Sequence, residues 1–219
     1  MTSWITIPVE WTRLYSPIGL RLLDELTNQP PLGNVHSDLD ILDAANNWQP
    51  TNTRAVLTPG GVLTYPGLGR HAVLTGQVPQ KYRARITADL YLPHYLTASD
   101  GIEFTVPPYN DDNPPSVIVE MAVDTPLLPA PDYPFSNHVP VLRGVVVDGA
   151  NNAVPYAYVT QSNKERSLTD SRGTFALPLR WIPANTLVSI DAADRGGRTG
   201  TISVQFPDAL NKSQTISIS

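Results

Sequence analysis

Cysteine is absent from the 219 residues. That excludes disulfides, thiol catalysis and cysteine-ligated zinc together, and it fits any redox compartment. Charge is scarce as well: Asp, Glu, Lys and Arg make up 16%, against about 25% in a typical soluble domain. The formal net charge is −5, so the chain carries no basic footprint for phosphates and nucleic acid is not an expected partner. No stretch approaches about 18 consecutive apolar residues, so no membrane span is expected. The opening "MTSWITIPVEWTRLYSPIGLRLL" lacks a basic start followed by an uninterrupted apolar core. Cytoplasmic synthesis without a signal peptide is therefore expected.

Catalytic grammar is missing too. There is no Gly-x-Ser-x-Gly elbow, no Walker loop and no Gly-x-Gly-x-x-Gly. His36, His71, His94 and His138 are the four histidines, and no two have the spacing of a His-x-His or His-x-x-x-His metal site. The acidic runs "NDDN" (110–113) and "SDLDILD" (37–43) do not follow the regular calcium-loop pattern and read as solvated loops. "DRGGRTG" (194–200) reads as a hairpin turn. No cofactor, metal or enzymatic activity is expected.

Proline is abundant, with 22 residues, about twice the usual share. Strands are marked by period two. In "YRARITADLYL" (82–92), Tyr82, Ala84, Ile86, Ala88, Leu90 and Leu92 share one face, and Arg83, Arg85, Thr87, Asp89 and Tyr91 the other. "GIEFTV" and "SVIVEMAV" are further strands, separated by the loop "PPYNDDNPP". "SPIGLRLLDELT" has a helix-like start, but Gly19 and the late Asp24 and Glu25 favour a strand over 19–25. "SDLDILDAANN" reads as one helical turn or a loop. "DTPLLPAPDYPFSNHVP" (124–140) holds five prolines and reads as a stiff extended connector packed along a surface. The boundaries drawn are 1–126 for an N-terminal β-sandwich domain, 127–140 for the connector and 141–219 for a C-terminal β-sandwich domain.

"RGVVVDGANNAVPYAYVT" followed by "LTDSRGTFALPL" resembles the carboxypeptidase regulatory-like domain, a transthyretin-type β-sandwich. Gly144, Val146, Asp148, Pro155, Ala157, Val159, Thr169, Asp170, Gly173, Phe175 and Leu177 carry the resemblance, which covers 141–219. It implies a fold and is nearly silent about activity. On physical grounds Thr169, Asp170 and Gly173 form a turn: Gly173 supplies φ > 0, and Asp170 accepts hydrogen bonds from its own turn. The N-terminal half echoes this plan in "LRLLDELTNQPPLG" and "RAVLTPGGVLTYPGL". The expected fold class is all-β: two antiparallel β-sandwich (immunoglobulin- or transthyretin-like) domains joined by the Pro-rich connector.

Trp48, Tyr109, Tyr133 and Phe135 are candidate contact aromatics, as are Trp4 and Trp11; each could instead belong to the core. With no catalytic set, the expected function is a non-catalytic structural or adaptor component of a large assembly. The context is similar to accessory proteins of a phage tail, baseplate or phage-tail-like contractile injection particle, and this likeness is one of fold and context. The expected partners are other protein subunits, including further copies of the chain, within a virion or secreted particle. The alternative expectation is a carbohydrate- or surface-ligand-binding module.

Overall fold

In the computed structural model, residues 14–115, 122–162 and 164–219 are described. Trp4, Trp11 and most of the strand expected from "SVIVEMAV" lie outside them. Among the described residues the regular structure is all strand, apart from two 3-10 turns.

The N-terminal half contributes β1 (Gly19–Asp24), β2 (Val35–Leu42), β3 (Trp48–Pro50), β4 (Val56–Leu57), β5 (Val62–Thr64), β6 (Gln80–Ala88), β7 (Tyr91–Pro93), β8 (Ile102–Val106) and β9 (Val123–Pro129). These form one sheet in the order β3-β2-β6-β7-β9-β1-β5-β4, with β8 also on β6. β6 is the corner: Gln80–Ala84 pair with β8, whereas Ala88 pairs with β7. The sheet thereby folds into two layers. Leu20, Leu22, Leu63 and Leu127 of one layer meet Leu39, Tyr82, Ala84 and Ile86 of the other in a single buried cluster.

The C-terminal half contributes β10 (Val141–Asp148), β11 (Tyr158–Gln161), β12 (Glu165–Leu168), β13 (Thr174–Pro178), β14 (Thr186–Ala193), β15 (Thr199–Phe206) and β16 (Gln214–Ile218). They build a three-stranded sheet, β13-β10-β16, and a four-stranded one, β12-β11-β14-β15. Leu142, Val146, Phe175 and Ile216 from the first sheet pack on Val159, Val188, Ile190 and Val204 from the second. Each such fully buried side chain stabilises the fold by about 1.5–3 kcal/mol. Gly144 lets β16 approach β10, since a Cβ there would stand 2.3 Å from the Gln214 carbonyl oxygen.

The two halves repeat one strand plan. β1 pairs antiparallel with β5 and parallel with β9, and β10 pairs antiparallel with β13 and parallel with β16. The facing layers, β3-β2-β6-β8 and β12-β11-β14-β15, correspond strand for strand. The turns correspond as well. Asp24 Oδ1 accepts the Leu26 N–H at 2.8 Å, and Asp148 Oδ1 accepts that of Ala150 at 2.9 Å. Thr58 Oγ1 accepts the Val62 N–H at 3.1 Å, as Asp170 Oδ1 accepts that of Thr174 at 2.9 Å. Gly61 and Gly173 close these turns at φ +77° and +74°, a conformation that glycine adopts without strain.

Several expectations need correction. The sheets are not purely antiparallel: β9 and β16 run parallel to β1 and β10. The chain returns to each first strand by way of the opposite layer, and a return of that kind does not force reversal as a hairpin does. The boundary at 126/127 falls inside β9, so Leu127–Pro129 belong to the sheet and not to a connector. The prolines are tolerated because Pro126 precedes the stretch that pairs with β7 and Pro129 ends the strand. Residues 130–140 are turns, with Tyr133 N–H donating to the Ala130 carbonyl and Val139 N–H to that of Ser136. "SDLDILD" is mostly strand β2, not a loop. The run 82–92 breaks between β6 and β7, so Tyr91 turns inward.

Candidate functional site

Thr169, Asp170 and Gly173 do turn chemistry. The buried Thr169 hydroxyl donates to the Val154 carbonyl at 2.7 Å and accepts the Ala157 N–H at 2.8 Å. Asp170 Oδ1 accepts from Arg172 N at 2.8 Å and Thr174 N at 2.9 Å. The motif pins the segment before β11 to the hairpin before β13.

The four candidate aromatics do not form one surface. Tyr133 is 6% exposed and Tyr109 only 3%, so both are corrected from contact residues to core. Their hydroxyls are satisfied inside: Tyr133 donates to Asp24 Oδ2 at 2.9 Å, and Tyr109 donates to the Tyr15 carbonyl at 3.4 Å. Burial, reinforced by Asp24, pushes the Tyr133 hydroxyl well above the ordinary tyrosine range. Phe135 packs edge-on against Tyr133, with ring centroids 4.8 Å apart. Half-buried Trp48 carries the Arg83 guanidinium 4.7 Å above its ring, a cation–π contact. Tyr109 also lines a pocket of about 460 Å³ with Tyr15, Val106 and Pro107.

Among the described residues, the exposed aromatics are others. Trp181 is 71% exposed and Tyr156 is 38% exposed. Each follows directly on the apolar alternation of a strand or turn, at a place where the chain changes direction. Both stay in phase with it, after Phe175, Leu177 and Leu179 and after Val154, so the pattern alone does not mark them as exposed.

Tyr156 stands at the seam between the halves, which is built from arginines. Arg166 Nε donates to Glu25 Oε1 at 2.6 Å. Arg180 forks Glu165 through Nε at 2.9 Å and NH2 at 3.0 Å, and its NH1 reaches the Leu26 carbonyl at 3.0 Å. Arg143 donates to the Pro131 carbonyl at 2.7 Å. Arg195 binds Asp100 at 2.8 Å and the carbonyls of Leu96 and Ser99 at 2.9 and 2.8 Å. Such charge-assisted bonds are the stronger class of hydrogen bond.

Above this seam lies a cleft of about 460 Å³. The 3-10 turn His94–Thr97 supplies one wall. Tyr156, Tyr158, Arg166, Asp194 and Arg195 supply the other. The His94 ring meets Tyr158 edge-on at 5.8 Å. Burial, with the nearby Arg166 charge, lowers the His94 pKa from the ordinary histidine value and so favours the neutral ring. Tyr156 has φ +55°, held by its N–H on the Thr169 carbonyl at 3.0 Å.

Among the described residues, no group of three or more His, Asp or Glu side chains is placed to hold a metal ion. None of their helices is long and apolar enough to cross a membrane.

No family model matches the chain, and no curated protein matches it. Among solved structures, it is similar to the crystal structure of BcpA, the major pilin subunit of Bacillus cereus, at 7% identity and a TM-score of 0.29. That match covers 92% of this chain and 68% of the pilin chain. A likeness of that size carries no argument about fold or function.

Proposed function

We propose that the chain is a non-catalytic structural or adaptor component of a large protein assembly, of the kind found in a phage tail, baseplate or contractile injection particle. In this reading the halves are two sandwich domains of one plan, joined through the turns at 130–140. Residues 141–219 are then a carboxypeptidase regulatory-like sandwich, a reading supported by their sheets of three and four strands and the Thr169–Gly173 turn.

The observation that carries the proposal is the seam. Domains in one chain move relative to each other by default, unless their interface is large and hydrophobic, and a polar seam restrains them through its directional bonds. Here three arginines of the C-terminal half, Arg166, Arg180 and Arg195, anchor on Glu25, the Leu26 carbonyl and Asp100 of the N-terminal half, and Arg143 ties to the Pro131 carbonyl in the joining turns. Two halves tied by charge-assisted bonds suit a building block. The buried carboxylates are also satisfied internally: Asp40 pairs with Arg83 and Arg85, Glu165 pairs with Arg180, and Asp24 accepts hydrogen bonds from the hydroxyls of Tyr91 and Tyr133. These are structural roles. The exposed Trp181 and Leu187 offer apolar surface to neighbouring subunits.

Sedimentation of a native lysate, with an immunoblot for this chain, tests the assembly reading. Co-migration with megadalton particles is expected, and a peak near 23.9 kDa would overturn it. A second reading, a carbohydrate- or surface-ligand-binding module, is favoured by one observation: the strained, exposed Tyr156 at the mouth of the seam cleft.

A further inference from the structure

We propose that the seam cleft binds a neutral sugar ring, a hexose or N-acetylhexosamine unit of an oligosaccharide. The proposal rests on the second reading above, and it stands or falls separately from assembly.

Tyr156 carries the argument. At φ +55° it occupies the left-handed region, where a bulky residue is an outlier. Such strain persists where the surroundings over-determine it, and it clusters at binding sites. Glycine or asparagine would make the same turn with less strain. The turn itself uses only the backbone of this residue, through the N–H bond to the Thr169 carbonyl. What tyrosine adds is a ring presented at the cleft. An exposed aromatic face stacks on the apolar face of a pyranose and leaves the sugar hydroxyls free to bond at the side.

The remaining walls match that demand. Arg195, 42% exposed, keeps N–H donors beyond those it gives to Asp100, Leu96 and Ser99, and the Thr97 hydroxyl offers an acceptor while it donates to the His94 carbonyl at 3.0 Å; the Asp194 carboxylate is taken up by Arg198. A neutral imidazole at His94 has one donor and one acceptor. The volume of about 460 Å³ falls within the range of small-ligand sites, about 300–1,000 Å³. A neutral ligand is favoured over an acidic one because both cleft arginines already face carboxylates: Arg166 faces Glu25 and Arg195 faces Asp100.

The test is binding of the full chain to an immobilised panel of neutral hexose and N-acetylhexosamine oligosaccharides, with calorimetry on the tightest. At least one sugar is expected to bind. Tyr156→Gly and Tyr156→Asn should each weaken it by about tenfold or more, with the melting temperature kept or raised. Trp181→Ala, which removes the other exposed aromatic among the described residues, should bind as the unaltered chain does. Silence across the panel would overturn the proposal. So would affinity unchanged in both Tyr156 variants, binding only to acidic sugars, or loss of binding in Trp181→Ala. None of these outcomes bears on the sedimentation result.

Discussion

Arg180→Ala is the sharpest test of the seam. The Glu165 side chain is 4% exposed and receives two hydrogen bonds from Arg180, at 2.9 and 3.0 Å. The same guanidinium satisfies the Leu26 carbonyl across the seam. Truncation strands a carboxylate out of water and leaves that carbonyl without its donor. Breaking a buried pair from one side costs about 3–5 kcal/mol. Arg180 itself is 30% exposed, so solvent can partly reach the vacated side, and the lower end, about 3 kcal/mol, is expected. With a urea slope of about 2–3 kcal/mol/M, the unfolding midpoint should fall by about 1 M. Removing both charges is different: Arg180→Met with Glu165→Leu should recover most of the loss, because an apolar pair needs no desolvation of ions. A single-variant cost below about 1 kcal/mol would refute the reasoning, since the pair would then behave like an exposed one. So would a double variant no more stable than Arg180→Ala.

Three further outcomes follow from the hydrogen-bond geometry. Thr169→Val keeps the volume but strands the Ala157 N–H and the Val154 carbonyl, and should cost about 2–3 kcal/mol in chemical denaturation. Gly173→Ala should destabilise more than Gly61→Ala in the same assay. Both positions sit near φ +75°, but the new Cβ would stand 2.8 Å from the Val146 carbonyl oxygen at 173 and 3.3 Å from that of Leu22 at 61. At Asp40, burial pushes the carboxyl up, but the hydrogen bonds from Arg85 and Arg83, with their charges, outweigh it and hold the pKa below the ordinary value. A lowered folded pKa means stability present above the unfolded value, near 4, and lost as pH falls through the folded one. The stability gap between the unaltered chain and Asp40→Asn should therefore be full at pH 7 and shrink below about pH 4; a gap that stays constant down to pH 2 would refute it.

The all-β class was legible because period two survives composition. β1, β6 and β10 alternate buried and more exposed residues, and no helix template fits them as well. β2 was not legible. It carries Asp38 and Asp40, and aspartate is depleted in strands. Its stability comes from β6, where the register sets Arg85 against Asp38 and Arg83 against Asp40, and one strand read alone does not reveal its partner. β9 was hidden by Pro126 and Pro129 for the same reason. Tyr109 and Tyr133 read as surface residues because the groups that satisfy their hydroxyls, Tyr15 and Asp24, lie 94 and 109 residues away. The seam left no trace at all in the sequence. Most of its arginines end on carbonyl oxygens, a group that every residue carries.

The repeated plan explains why the seam needs its own residues. What the halves share is what the strand plan demands: an aspartate after the first strand (Asp24, Asp148), a left-handed asparagine in the turn that follows (Asn28, Asn151), and a glycine closing the later hairpin (Gly61, Gly173). None of this fixes one half relative to the other. The N-terminal contacts that do fix it are Glu25 and Leu26, in the turn after β1, and Leu96–Asp100, in the excursion between β7 and β8. β7 is an addition of the N-terminal half with no counterpart strand in β10–β16. Mutual orientation is thus set by turns and additions laid over a common scaffold. The cleft follows the same logic, since one wall is the 3-10 turn after β7 and the other is the β10–β11 connection and the β14–β15 hairpin. Either half alone would present one wall of the cleft, so binding there should depend on the same arginines that bridge the halves.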